Sequence, residues 1–86
     1  MTMSDGARNI LSIIAEITGR TVSNSILDTA VIQRSGLPAE EVRNYFGQLE
    51  GLGYITVSIK VAGADFRMLN MTTAGLQATS EEQELR

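Results

Sequence analysis

Eighty-six residues with a formal net charge of −3, 43% hydrophobic side chains and neither cysteine nor histidine fit a single globular domain, residues 1–86, of ordinary soluble composition. The missing residue types remove disulfides, thiol nucleophiles, imidazole bases and the usual zinc ligands, so no metal or cofactor is expected. No run of about 18 apolar residues is present to span a membrane, and MTMSDGARN lacks the basic and apolar segments of a secretory signal, so a cytoplasmic location is expected. The acid excess is local. Outside the acidic C-terminal end, residues 80–86, six bases face seven acids, and the body is near neutral.

Ser4 or Asp5 is suited to cap a first helix over GARNILSIIAEIT, which stops at Gly19. Its aliphatics Ile10, Leu11, Ile13, Ile14 and Ile17 span an arc of about 160°, wider than a minimal amphipathic stripe. Such an arc implies deep burial or contact with a second subunit. RTVSNS follows as a loop or short edge strand. In ILDTAVIQRSG, Asp28 is the expected N-cap of a second helix, with Ser25 as the other choice, and Val31 and Ile32 point inward. Gly36 ends that helix as a left-handed residue, and Pro38 suits the first turn of the next one.

The third helix is expected over residues 38–52. Val42, Tyr45, Phe46 and Leu49 share one face at helical spacing. YITVSIK then alternates as a half-buried strand, Gly63 marks a turn, and FRMLNM returns as the partner strand, giving a hairpin over residues 55–71. Thr72 or Thr73 caps a weakly apolar last helix. Phe46, Leu49, Ile14 and Ile32 are the expected core.

This order, with VIQRSGLP as second helix and turn, VRNYFGQLEGLGYI as third helix and strand, and LNMTTAGLQA as strand and capped helix, resembles a winged helix-turn-helix domain. The resemblance covers almost the whole chain and is closest in kind to small bacterial and archaeal regulators of the MarR, PadR and ArsR type. It implies an α+β fold with a three-helix core, a two-stranded wing and a C-terminal helix. It also implies transcriptional regulation by binding double-stranded DNA, commonly as a homodimer.

In that arrangement the face of the third helix opposite the core enters the major groove. Here it holds Glu40, Asn44, Gly47 and Gly51, flanked by Arg43 and Gln48. Asn44 and Gln48 can pair with adenine, Arg43 can take guanine or a phosphate, and Glu40 can accept from cytosine. Gly47 is unfavourable mid-helix by roughly 1 kcal/mol against Ala, and either permits close backbone approach or is simply tolerated. Lys60 and Arg67, on opposed strands of the wing, can contact phosphates. Glu40 and Glu41 depart from the pattern of a basic DNA-facing helix, although acids in a first turn are favoured by the helix dipole. Without a nucleophile motif or phosphate loop, an enzyme is not expected. The alternative is a winged helix used as a protein–protein interaction module without DNA binding.

Overall fold

The computed structural model describes residues 3–59 and 67–84. Helix α1 (Asp5–Thr18) begins at Ser4, whose Oγ accepts from the Ala7 N–H at 3.2 Å. Ser4 is thus the cap, and Asp5 lies inside the first turn. The wide apolar arc is used mainly inside the domain: Ile10, Leu11 and Ile14 are fully buried, while Ile13 and Ile17 are half-buried at its margins. A stripe this broad lets α1 act as the central helix, packed against each of the other three.

Strand β1 (Ser25–Leu27) follows, and helix α2 (Asp28–Ser35) starts directly after it. Asp28 is not an N-cap. Leu27 occupies the cap position and makes no side-chain cap bond, while Asp28 is the first helical residue and turns its carboxylate into the interior. Ser25 is not the cap either; it lies in β1. Val31 is fully buried, but Ile32 is only half-buried, packed against the margin of the core rather than within it. Gly36 has φ of 71°, the left-handed conformation that glycine adopts without a Cβ penalty, and its N–H donates to the Ile32 carbonyl at 3.3 Å. This tight turn leads through Pro38 into α3 (Ala39–Gly51), whose buried residues are Val42, Phe46 and Leu49.

Strands β2 (Ile55–Ile59) and β3 (Arg67–Met71) pair antiparallel, from Ile55 opposite Met71 to Ile59 opposite Arg67. The tip of this hairpin, including the expected turn at Gly63, lies outside the described residues. β1 adds a third strand on the other side of β3, in the order β1-β3-β2. Ile26, Leu69 and Val57 form a row across the three strands and meet the helical core. On the neighbouring row, Ser25 Oγ donates to Asn70 Oδ1 at 2.9 Å. Side-chain pairing of this kind stabilises a strand too short to be marked by its own sequence.

Helix α4 (Thr73–Glu84) is capped by Thr72: its Oγ accepts from the Gly75 N–H at 3.0 Å and donates to the Gly53 carbonyl at 2.7 Å. The Thr72 N–H also donates to the Tyr54 carbonyl at 3.1 Å. A Cβ at position 75 would overlap that same carbonyl oxygen, so only glycine lets the start of α4 lie against the α3–β2 junction. One knot of backbone contacts therefore ties the last helix to the end of the third.

Candidate nucleic-acid interface

The core phase of α3 dictates its opposite face. With Val42, Phe46 and Leu49 buried, Glu40, Arg43, Asn44, Gly47 and Gln48 all emerge on the solvent side. The structure thus brings together the five residues that the sequence singles out on this helix. A Cβ at Gly47 would meet nothing within 4 Å, so no packing in the domain itself requires glycine there. Gln48 is not wholly independent: its Oε1 accepts from Ser4 Oγ at 3.4 Å, which joins the start of α1 to the second half of the exposed face.

The electrostatics of this face are mixed. Helix α3 carries Glu40, Glu41 and Glu50 against Arg43. Glu40 and Glu41 occupy the first turn, where the unpaired N–H groups give the helix its positive end. Glu41 also accepts from the Tyr45 hydroxyl at 3.4 Å, one turn later. Arg43 leans toward α2, where its Nε lies 3.8 Å from Oδ2 of the buried Asp28.

Other bases also have acidic neighbours within the chain. Arg34 Nη2 bonds Glu16 Oε2 at 3.0 Å, and Arg8 Nη1 lies 3.6 Å from Asp5 Oδ1. Arg67 is exposed at the start of β3, opposite Ile59. Lys60, its expected companion on the wing, lies outside the described residues, as does Asp65. Among the described residues no group of three acidic side chains is placed to hold a metal ion, and no helix is long and apolar enough to cross a membrane.

Sequence reasoning missed the Asp28–Arg43 pair. Asp at a helix start is ordinarily read as a cap, and its burial is decided by a partner fifteen positions away in the chain, for which no local signal exists.

No protein-family model matches the chain, and no curated protein matches it. Solved structures do match in fold. A protein from Ralstonia eutropha JMP134, described as a proposed DNA-binding protein, superposes with a TM-score of 0.77 at 18% identity, over 93% of this chain and 96% of that one. A complex of S. aureus MepR with DNA matches with a TM-score of 0.76 at 11% identity, over 95% of this chain and 63% of that one. A variant of E. coli MarR complexed with operator DNA matches with a TM-score of 0.74 at 10% identity, over 92% and 52%. The chain therefore spans between half and two thirds of the length of those two proteins. Shared architecture at such low identity establishes the fold, and the chain is a winged helix-turn-helix domain of the kind found in MepR and MarR.

Proposed function

We propose that the domain binds double-stranded DNA as a transcriptional regulator, with α3 in the major groove and the β2–β3 hairpin against phosphates. The observation that carries this reading is the continuous polar face of Arg43, Asn44 and Gln48 on the helix after the tight turn. Solved neighbours of the same fold, MepR and MarR, include complexes with DNA. Asn44 and Gln48 suit adenine, and Arg43 suits guanine or a phosphate. Glu40 and Glu41 oppose phosphate at the start of α3, where many helix-turn-helix proteins bind it. Affinity then rests on the wing and on pairing of two domains.

A two-fold dimer would present two third helices to paired half-sites. Ile13 and Ile17, half-buried at the margin of α1, are available to extend into such a contact. The expected result in light scattering at tens of micromolar is a species of twice 9.3 kDa. A 9.3 kDa species alone removes the dimer from the proposal.

The wing is tested by salt. Replacing Lys60 and Arg67 together with Ala should weaken binding to all duplexes alike and flatten log affinity against log salt by roughly 2 per monomer, near one counterion per lost phosphate contact. An unchanged slope excludes the wing from phosphate contact.

A second reading has its own support. Three of the five described bases face acids of the same chain, at Arg8–Asp5, Arg34–Glu16 and Arg43–Asp28, and α3 holds more acids than bases. A surface with its charge balanced internally suits a protein partner, and a chain that binds no duplex even at low salt would favour that use of α3.

A further inference from the structure

Asp28 is a carboxylate with no solvent exposure, and among the described residues neither of its oxygens has a hydrogen-bond partner. Removing a carboxylate from water without hydrogen bonds is strongly unfavourable unless other charge offsets it. Two features do so here. Asp28 lies in the first turn of α2, at the positive end of that helix. Arg43 lies beside it, with Nε 3.8 Å from Oδ2, within ion-pair range but beyond a good hydrogen bond.

Arg43 is also the base contributed by α3, against three acids, and its side chain is 41% exposed at the border of the polar face. The guanidinium therefore stands between an anion buried in the domain and the surface that faces outward. Asp28 acts on it from behind the helix, where no ligand can reach.

We propose that Asp28 is a positioning residue for nucleic-acid binding: it holds Arg43 against α2 and so limits the positive charge that α3 offers to a polyanion. The inference rests on the DNA reading above. A phosphate or guanine must compete with Asp28 for the guanidinium. Salt screens exposed charges more than buried ones, so added salt shifts that competition toward Asp28. Reading by α3 then falls chiefly to the neutral side chains Asn44 and Gln48. The buried acid thus restrains the non-specific attraction that the Arg43 charge exerts on a phosphate.

The test compares wild type, Asp28→Asn, Arg43→Gln and the double variant, in titrations of a random-sequence duplex across salt concentration, with urea unfolding in parallel. Asn is nearly isosteric with Asp and removes only the charge. Asp28→Asn should bind every duplex more tightly at low salt, with a slope of log affinity against log salt steeper by about 0.9 per monomer. The double variant should lose that gain. Arg43→Gln alone should flatten the slope by clearly less than the roughly 0.9 expected of a freely offered base, because Asp28 already holds part of the charge; this arm stands even if Asp28→Asn unfolds.

A purely structural role for Asp28 would move the urea midpoint and leave the slope alone. A slope unchanged in Asp28→Asn, or flattened by about 0.9 in Arg43→Gln, overturns the role of Asp28 while leaving DNA binding intact. If no variant and no wild-type protein binds a duplex at low salt, the DNA reading fails and this role fails with it. Non-additive urea midpoints would then locate the coupling in folding alone.

Discussion

Phe46→Ala is expected to destabilise the domain by about 3–5 kcal/mol, a loss near the whole stability of many small domains. The phenyl ring is 3% exposed at the middle of α3, between Val42 and Leu49, on the face that packs against α1. Truncation removes the transfer free energy of the ring and leaves a cavity that rigid neighbours fill only in part. The consequence reaches function, because the buried face sets the rotation of the whole helix. Asn44 and Gln48 project outward only while Val42, Phe46 and Leu49 project inward. Urea unfolding measures the effect: the midpoint should fall sharply with little change in slope. An unchanged midpoint would mean that Phe46 is not in the core and that the polar face is differently aimed.

The elements that carry dense apolar periodicity are legible in the sequence. Helix α1, with its run of aliphatics, and α3, with Val42, Phe46 and Leu49, lie where that spacing places them. The turn at Gly36 is equally plain, since few residues other than glycine adopt φ of 71° without cost. Thr72 caps α4 as a threonine ahead of a helix should. What the sequence hides is decided at a distance. β1 is three residues long, and the register with β3 that stabilises it lies more than forty positions away. Ile32 has the side chain of a core residue, yet Val31 holds the buried position on this short helix. Asp28 follows every local rule for a cap and is instead buried beside Arg43.

The candidate interface divides in the same way. Which α3 residues lie opposite the core follows from helix phase, so Glu40, Arg43, Asn44, Gly47 and Gln48 can be placed on the outward face from the sequence, while the part that face plays is implied by the winged-helix resemblance. Its electrostatics do not follow. The sequence shows three acids and one base on α3, but only the folded chain sets Arg43 against Asp28 and Arg34 against Glu16. Charges that balance within the domain contribute less to long-range attraction of a polyanion than their count implies. Specificity in such a protein would come from groups that read bases at short range.

Asn44 makes that claim testable. It sits exposed in the middle of the polar face of α3, and a bidentate amide–adenine contact is worth about 1–3 kcal/mol of discrimination. It carries no charge, so its loss should leave phosphate-driven binding nearly unaltered. The direct measurement begins with selection of a preferred site from random duplexes by the wild-type chain, followed by titration of that site and of random DNA with wild type and Asn44→Ala. The expected outcome is an enriched sequence, a loss of about 1–3 kcal/mol on it in the variant, and little change on random DNA. If no duplex is enriched and none binds even at low salt, where phosphate attraction is strongest, α3 does not read DNA.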